Sequence, residues 1–470
     1  MISFIQWANY VFLGYFVILN TSYLVMSLSA FRALLRYWRR LQAYNPEETL
    51  TSEALPPITL IAPAYNEEAT CVESTRAFLS IDYPLADVLV VNDGSKDDTL
   101  VRLKEAFALE PASRPPMATL PTEHVRGVYQ SQLHPNLWVI DKENGGKADA
   151  LNTGVNYCQT PFFCAMDADT LVEAEGLVRM VRPFLEEEST VAVGGIVRVA
   201  NGCTVRAGRV RTVSMPRRWL PKLQVLEYLR AFLFGRVGWD AIGALLIISG
   251  AFGMFRRETV VDVGGYSTDT VGEDMELVVR MHRHLLENDT PYQIRFVPDP
   301  VAWTEVPTTL KILGSQRDRW QRGLTETMVR HQRMLLNPRY GRVGLVAYPF
   351  FYFLETLGPA IEFLGYVVFI ISLLLGALST PFAVAFFMVA FALGLALSLS
   401  AVALEELSFR RYEHTGDLLQ LFALPIIETF GYRQLIAWYR IRGLWSYLRS
   451  EEGWGVMDRQ GFQTDEEPSP

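Results

Sequence analysis

The chain begins with a long segment that contains no charged side chain. Asp, Glu, Lys and Arg are all absent from Met1 to Phe31, and the stretch from Ile5 to Ala30 is predominantly apolar. About 20 such residues in a helix are enough to cross a bilayer. A secretory signal peptide carries positive charge before its apolar run, whereas here the charge follows it. We therefore predict an uncleaved membrane anchor over residues 1–34.

Four arginines follow the anchor directly: Arg32, Arg36, Arg39 and Arg40. Positively charged residues near membrane helices stay on the cytoplasmic side of the membrane. This asymmetry predicts an N-terminus outside the cell and a cytosolic location for the chain that follows.

A second apolar block runs from Val343 to Ala403 and contains only Glu355 and Glu362 as charged residues. Its length predicts a hairpin of two membrane crossings joined near residues 379–381. Carboxylates inside a membrane are costly unless they have a role. Glu355 and Glu362 therefore either lie near the membrane surface or line a polar passage, and the sequence leaves both alternatives open.

After the hairpin, arginines again indicate the cytosolic side: Arg410, Arg411, Arg433, Arg440, Arg442 and Arg449. The apolar segment from Leu418 to Tyr432 is short and is interrupted by Pro425 and Glu428. We expect this segment to be re-entrant or interfacial rather than a clear span.

Composition narrows the possible partners. The net charge is −8, so no overall basic field exists to hold nucleic acid, and we predict no nucleic-acid partner. The four cysteines, Cys71, Cys158, Cys164 and Cys203, lack CxxC spacing, which argues against a structural zinc site.

Between the apolar blocks, short apolar runs alternate with amphipathic stretches, a pattern typical of α/β domains. Polar residues follow the ends of several runs, notably Tyr65, Asp93 and Asp167. Ligands of open parallel sheets bind outside the carboxyl ends of the strands, so we expect these residues to border one crevice. The proline-rich stretch from Glu110 to Asn136 resembles an inserted loop.

Asp167 and Asp169 are separated by one residue, directly after the apolar run Phe162 to Met166. Two carboxylates at one turn can bind a hard divalent cation and leave coordination positions for phosphate oxygens and water. A DxD pair is weak evidence by itself, but its place at the end of a buried strand favours a metal site.

Three further motifs each have two interpretations. Gly145-Gly146-Lys147 either forms an ordinary turn or lets the backbone and a cation approach a diphosphate. Asp93 by itself is typical of an Asx turn. Glu273 and Asp274 follow Gly272, and either acid could cap a helix or act as a general base, with the cap favoured locally.

Gln316, Arg319 and Trp320 have the spacing of one helix face. That face would offer an amide, a guanidinium suited to phosphate and an indole able to stack on a sugar. A basic amphipathic helix at the membrane surface would show the same pattern, and the two interpretations are compatible.

In their order along the chain, these motifs resemble those of the family 2 inverting glycosyltransferases. The flanking apolar helices and the QxxRW motif are most similar to the processive membrane branch, which includes poly-N-acetylglucosamine, chitin, hyaluronan and cellulose synthases. The resemblance implies an α/β fold: a cytoplasmic, Rossmann-like GT-A-type glycosyltransferase domain flanked by transmembrane helices. It also implies localisation in the plasma membrane, the inner membrane of a bacterium.

The resemblance also implies roles for matching residues. Nucleotide-sugar binding is implied for Ala64, Tyr65, Glu67, Asp93, Lys147, Asp167, Gln316 and Arg319. Asp167 and Asp169 would hold Mg²⁺ or Mn²⁺. Asp274, with Glu273 beside it, would be catalytic, and Trp320, Ser249 and Gly250 would contact the acceptor. Gly272 replaces the Thr common before the Glu-Asp pair, and Asn92 stands where some relatives carry Asp, but neither change removes a required charge.

The function implied is inverting transfer from a UDP-sugar to the growing end of a β-linked exopolysaccharide. Because few crossings are predicted, transfer of a single sugar to a lipid or other acceptor is the alternative. A catalytically inactive membrane scaffold that senses nucleotide-sugar is a third hypothesis. The expected partners are a UDP-sugar donor, a growing glycan or lipid-linked acceptor, membrane lipid and accessory proteins of polysaccharide export.

We predict seven segments along the chain. They are the anchor (1–34), a linker (35–55), the GT-A domain (56–306), amphipathic interfacial helices carrying QxxRW (307–342), a transmembrane hairpin (343–404), cytoplasmic, interfacial or re-entrant helices (405–457) and an acidic tail (458–470).

Overall fold

The computed structural model describes residues 2–41, 55–168, 170–206, 208–409, 411–412 and 414–449. The chain forms two compact units. The first unit, called the helical unit, comprises Met1–Tyr37, Met215–Ala244 and Pro307–Met457. The second, called the sheet unit, comprises Trp38–Ser214, Leu245–Val306 and Asp458–Pro470.

The sheet unit is built on a mixed sheet of ten strands in the order β3-β4-β5-β2-β1-β6-β11-β8-β12-β7, and β9 pairs with β10 separately. The strands are β1 (Ile58–Ala64), β2 (Ala86–Asp93), β3 (Leu109–Pro111), β4 (Val125–Ser131), β5 (Leu137–Lys142), β6 (Phe162–Met166), β7 (Leu171–Val172), β8 (Thr190–Val199), β9 (Thr204–Arg206), β10 (Arg209–Thr212), β11 (Phe252–Arg256) and β12 (Gln293–Thr304).

Strands β5, β2, β1 and β6 run parallel to one another. Their centres are fully buried, as expected for a parallel sheet covered on both faces. Their carboxyl ends therefore lie along one edge, where the polar residues following β1, β2, β5 and β6 can meet. Strand β11 is antiparallel to both β6 and β8.

The prediction of an inserted loop from Glu110 to Asn136 is wrong in part. Residues Leu109–Pro111 and Val125–Ser131 form β3 and β4, which extend the sheet antiparallel to β5. Strand β4 lies near the edge and is only half-buried along most of its length, so its sequence lacks the apolar run that marks the central strands.

The helices are α1 (Ile2–Leu41), α2 (Cys71–Leu79), α3 (Thr99–Phe107), α4 (Lys147–Tyr157), α5 (Gly176–Glu186), α6 (Trp219–Leu229), α7 (Val237–Ala241), α8 (Arg257–Asp262), α9 (Glu273–Glu287), α10 (Leu310–Arg330), α11 (Gly358–Leu374), α12 (Thr380–Phe387), α13 (Leu393–Ser408), α14 (Thr415–Ile427) and α15 (Arg433–Leu448). Segments of π-helix join several of them, at Arg230–Arg236, Val343–Ala347, Phe350–Thr356, Met388–Ala392 and Glu428–Tyr432.

Two described helices are long and apolar enough to cross a membrane, Phe4–Arg39 and Thr380–Ser408. A third span results if Val343–Thr356 and Gly358–Leu374, bent by 48°, form one crossing. Pro359 lies in the first turn of the helix that begins after the bend, where its missing N–H is tolerated. The hairpin break near Ser379 is also present, because the helix beginning at Thr380 follows it directly.

Glu355 has partners in the structure, and whether it lies near the membrane surface or lines a polar passage stays a prediction. It accepts a hydrogen bond from the Tyr23 hydroxyl at 2.5 Å and forms an ion pair with Arg440 at 3.1 Å. This partly buried carboxylate therefore has both a hydrogen-bond donor and a counter-charge within the helical unit. Such partners offset the cost of removing a charge from water.

The segment from Leu418 to Tyr432 includes a break in the helix. Phe430 and Gly431 leave helical geometry, with φ of −109° and 118° respectively. The helix Thr415–Ile427 therefore ends before α15 begins at Arg433. Whether the segment is interfacial or re-entrant stays a prediction.

Candidate active site

Asp167 follows directly on β6, at the carboxyl edge of the parallel strands. Its carboxylate forms an ion pair with the Lys147 ammonium at 2.6 Å, and about a quarter of the Asp167 side chain is exposed. Asp169, predicted to share a cation with Asp167, lies outside the described residues.

Lys147 begins α4 and is presented by a glycine turn. Gly146 has a φ of 88°, a conformation that favours glycine, and a Cβ on Gly145 would lie 2.5 Å from the Asp149 carboxyl carbon. The two glycines thus let the chain turn sharply from β5 into α4 while packing closely on Asp149. The Lys147 ammonium reaches Glu273 at 3.3 Å as well as Asp167.

The electrostatics of this cluster follow from burial and from neighbouring charges. Burial by itself would lower the pKa of Lys147, but the carboxylates of Asp167 and Glu273 raise it above its ordinary value. Burial raises the pKa of Glu273, Lys147 opposes that shift and Asp274 adds to it. Lys147 is therefore firmly cationic, a state suited to binding an anionic ligand.

Glu273 and Asp274 are the first two residues of α9, and the capping interpretation of them is wrong. The N-cap is Gly272, with no side-chain cap hydrogen bond. The Asp274 carboxylate instead accepts hydrogen bonds from the backbone N–H of Gly250 at 2.9 Å and of Met275 at 2.8 Å. It is also partly exposed, so an external group can reach it.

The turn at Ser249 and Gly250 lies against the same cluster. A Cβ placed on Gly250 would lie 3.1 Å from the Lys147 ammonium and 3.2 Å from an Asp274 carboxylate oxygen. The Ser249 carbonyl accepts a hydrogen bond from Phe252, which starts β11. The structure thus brings Ser249, Gly250, Lys147, Asp167, Glu273 and Asp274 together, as the sequence motifs predict.

Asp93 is a buried anchor for the glycine turn, and the Asx-turn interpretation is wrong. Its carboxylate accepts the backbone N–H groups of Gly145 at 3.0 Å and Gly146 at 2.8 Å. It also pairs with the Lys142 ammonium at 2.7 Å. Because Asp93 is only 2% exposed and has these donors, its position shapes the turn that presents Lys147.

Lys142 is a site residue that the sequence motifs did not reveal. Its side chain is completely buried and its ammonium also pairs with Asp149 at 2.6 Å. Parallel pairing sets Asp93 beside Lys142, a register that the sequence does not disclose. The one available signal was a lysine in a run that ends a buried strand, where an unpaired charge would be costly.

The residues after β1 form a second loop of the sheet unit. The backbone N–H groups of Asn66 and Glu67 donate to the hydroxyls of Ser95 and Thr99 at 3.0 and 2.9 Å. These bonds tie the loop after β1 to the loop after β2. Tyr65 remains 44% exposed beside them, and Ala64 ends the buried strand.

Gln316, Arg319 and Trp320 lie on α10 of the helical unit, and their placement on one helix is confirmed. Gln316 is buried, whereas the Trp320 ring is 44% exposed. Arg317, which the motif does not include, donates to Gln316 at 2.6 Å and lies 4.2 Å from the Trp320 ring centroid. Arg317 also pairs with Glu227 at 2.7 Å. Arg317, at one of the two unspecified positions of QxxRW, therefore helps to fix the side chains of Gln316 and Trp320.

A family model described as glycosyltransferase-like family 2 matches residues 56–323, more than half of the chain. The chain belongs to this family. The mixed sheet of this family 2 glycosyltransferase is of the GT-A type, so the predicted fold class is confirmed, apart from the side of the membrane on which it lies.

Two curated relatives are poly-beta-1,6-N-acetyl-D-glucosamine synthases. The protein from Staphylococcus aureus strain COL is 28% identical over 289 residues, which cover 61% of this chain and 59% of the relative. The one from Staphylococcus epidermidis is 27% identical over 274 residues, covering 58% and 56%. The glycosyltransferase thus matches less than two thirds of these relatives' length. A solved mannosyltransferase from Pyrobaculum calidifontis is 19% identical, with a TM-score of 0.48 and coverage of 92% of this chain and 100% of that chain.

The described part of this glycosyltransferase contains no group of three or more His, Cys, Asp and Glu side chains that could enclose a metal by themselves. Asp167 offers a partly exposed carboxylate at the strand edge. Such a donor fits a cation that takes its remaining ligands from a bound diphosphate and from water.

Proposed function

We propose that this glycosyltransferase transfers a sugar from a UDP-sugar, with inversion at the anomeric carbon, to the growing end of a β-linked polysaccharide on the cytoplasmic face. The observation that carries the proposal is the position of the Asp274 carboxylate. It lies against the Gly250 turn, beside a lysine paired with Asp167 at the carboxyl edge of the sheet. A base next to an anion-binding cation is the arrangement that displacement of a diphosphate requires.

The donor would bind along the strand edge. Ala64, Tyr65 and Glu67 would contact the uridine, while Asp93 holds the turn in place. The Lys147 ammonium would bind the diphosphate and give up part of its contact with Asp167. The QxxRW residues Gln316, Arg319 and Trp320 are proposed to contact the diphosphate and the acceptor sugar.

Asp167 would be one ligand of a divalent cation, Mg²⁺ or Mn²⁺, and Asp169, which lies outside the described residues, is proposed as the second. When bound, the cation would neutralise charge on the departing diphosphate. Asp167 has one partly exposed carboxylate to offer, and its contact with Lys147 at 2.6 Å holds that carboxylate at the strand edge.

In the proposed reaction, Asp274 takes the proton of an acceptor hydroxyl as that oxygen bonds to the anomeric carbon. The bond from this carbon to the diphosphate oxygen breaks, and its electron pair leaves with UDP. Hydrogen bonds from Gly250 and Met275 fix the Asp274 carboxylate for this task. Lys147 places positive charge where the leaving group becomes more negative.

Transfer of a single sugar to a lipid or other acceptor is the second candidate. Its support is the modest number of candidate spans in the described chain, two or three, which limits the helices able to enclose a polymer. Sizing the products made by the purified protein separates the two functions. Products longer than one added sugar support polymer extension, and a single addition at every donor concentration rejects it.

Asp274→Asn tests the assignment of the base. The amide still accepts the Gly250 hydrogen bond but cannot take a proton, so turnover should fall by about 10²–10⁴-fold while UDP binding persists. Turnover is measured by UDP release and binding by calorimetry. Asp262→Asn is the control, because it removes one negative charge from an exposed position on α8. It should leave turnover and UDP binding unchanged. Normal turnover in Asp274→Asn would exclude Asp274 as the base.

A further inference from the structure

Helices α10 and α15 of the helical unit pack at close range because glycines lie at their contacts. A Cβ on Gly443 of α15 would come 2.6 Å from the Asp318 carbonyl oxygen of α10. A Cβ on Gly314 of α10 would come 2.8 Å from the Tyr439 ring of α15. The two backbones are therefore as near as the absence of side chains allows.

Beside this contact the two helices border a cleft of about 370 Å³. Its lining residues are Ser315, Asp318, Arg442, Trp445, Ser446 and Arg449. Every one of them is polar, charged or aromatic, so the cleft lacks the aliphatic lining typical of sites for apolar ligands.

The charges around the cleft are unequal. Asp318 pairs with Arg442 at 3.0 Å and accepts a hydrogen bond from Ser446 at 3.2 Å. Asp318 therefore balances one of the two arginines. The Arg449 guanidinium lies 5.0 Å from the Trp445 ring centroid. With one carboxylate and two arginines, the described lining of the cleft retains the positive charge of one arginine.

The composition of α15 indicates the environment of the cleft. Two arginines of this helix, Arg433 and Arg440, pair with Glu428 and Glu355. The helix also carries Arg442 and several exposed or half-buried aromatic side chains: Trp438, Tyr439, Trp445 and Tyr447. Tryptophan and tyrosine are enriched at the headgroup level of membranes, and arginines near membrane helices attract anionic headgroups. The indoles of Trp438 and Trp445 are 54% and 55% exposed.

We propose that the cleft between α10 and α15 binds the phosphodiester headgroup of an anionic membrane phospholipid. Arg449 and Arg442 would donate to the phosphate oxygens, since a guanidinium matches phosphate geometry. Ser315 would donate a hydroxyl hydrogen bond, and the Trp445 indole would lie at the level of the glycerol backbone. Because Ser315 and Asp318 belong to the helix of the QxxRW motif, the bound lipid would hold α10 against α15.

The test measures lipid binding directly and does not depend on sugar transfer. The full-length protein is placed in nanodiscs of equal parts phosphatidylglycerol and phosphatidylcholine, and native mass spectrometry records the lipids that remain bound. Selective retention of phosphatidylglycerol is expected. Arg449→Gln should weaken that retention by about fivefold, the effect of one arginine near an anionic surface.

Trp445→Leu should also reduce retention, and two matched controls separate the cleft from general effects. Trp438→Leu removes an equally exposed indole from the same helix, and Arg76→Gln removes one positive charge from the exposed surface of the sheet unit. Both controls should retain phosphatidylglycerol as the unchanged protein does.

Equal retention of the two lipids, or equal loss in the variants and their controls, would overturn the proposal. An excess of soluble glycerol phosphate is added to nanodiscs of phosphatidylcholine alone to identify the source of the phosphate. Binding of glycerol phosphate as tight as that of phosphatidylglycerol would show a site for free phosphate, and would also overturn it.

Discussion

Lys142 shows how one buried charge can organise a binding turn. Its ammonium is enclosed between the carboxylates of Asp93 and Asp149, and all three side chains are nearly or fully buried. Asp93 holds the N–H groups of Gly145 and Gly146, so the charge pair and the glycine turn form one unit. Lys142 is therefore a positioning residue that acts on the turn before Lys147.

Replacing Lys142 with Met should destabilise the protein by about 3–5 kcal/mol, because two buried carboxylates lose their counter-charge. Unfolding in denaturant, followed in detergent, measures the loss. Lys96→Met removes an exposed ammonium from the same unit and should change stability little. A Lys142→Met variant as stable as Lys96→Met would show that the buried pairs are not required.

At the residue scale, the sequence predicts the ends of the strands and the charged residues that meet there. Lys147, Asp167 and Asp274 come together as expected, because each motif follows or begins a regular element. Partners set by strand register or by tertiary packing could not be predicted. Lys142 and Arg317 are examples, since their carboxylate partners lie 49 and 90 residues away along the chain.

At the element scale, the contact between α10 and α15 depends on glycine. The Cβ of Gly443→Ala would meet the Asp318 backbone carbonyl at 2.6 Å, which requires the helices to separate. Such overpacking costs about 1–3 kcal/mol. We expect a lower thermal unfolding midpoint for Gly443→Ala and reduced sugar transfer, because α10 carries Gln316 and Trp320.

Gly416→Ala is the matched control for this change. Gly416 lies in α14, and among the described residues no atom is within 4 Å of an added Cβ. Gly416 is the second residue of its helix, where alanine gains less over glycine than in a helix interior, so this variant should be as stable as the unchanged protein or slightly more stable. Equal stability changes of the same sign in both variants would contradict close packing at Gly443.

Elements were predictable where their pattern is strong. The apolar runs that form β1, β2, β5 and β6 and the break before Thr380 are all present in the structure. The strand Val125–Ser131, second from the edge of the sheet, was missed because a half-buried strand needs no apolar run. The 48° bend before Gly358 was also missed, since hydropathy reports length but not direction.

For the whole molecule, the predicted topology assigns the sheet unit to one side of the membrane. The hairpin turn at Ser379 should lie outside and the sheet unit in the cytosol, as the arginine clusters indicate. Single cysteines at Ser379 and at Asp262, both exposed, are introduced after the four native cysteines are replaced.

A membrane-impermeant maleimide should label Ser379→Cys in intact cells and Asp262→Cys only after lysis. Labelling of Asp262→Cys in intact cells, with Ser379→Cys protected, would reverse the topology. The predicted orientation in the membrane rests on the positions of the arginines alone. Hydropathy and the fold of each unit would be the same if the orientation were reversed.

Inverting transfer from a UDP-sugar is the central claim, and the anomeric configuration of the product tests it most directly. The purified full-length protein is incubated with UDP-glucose, UDP-N-acetylglucosamine or UDP-glucuronate, acceptor glycan and Mg²⁺ or Mn²⁺. Nuclear magnetic resonance then reads the new linkage. A β linkage formed from the α-linked donor is the predicted result, and an α linkage would contradict the claim.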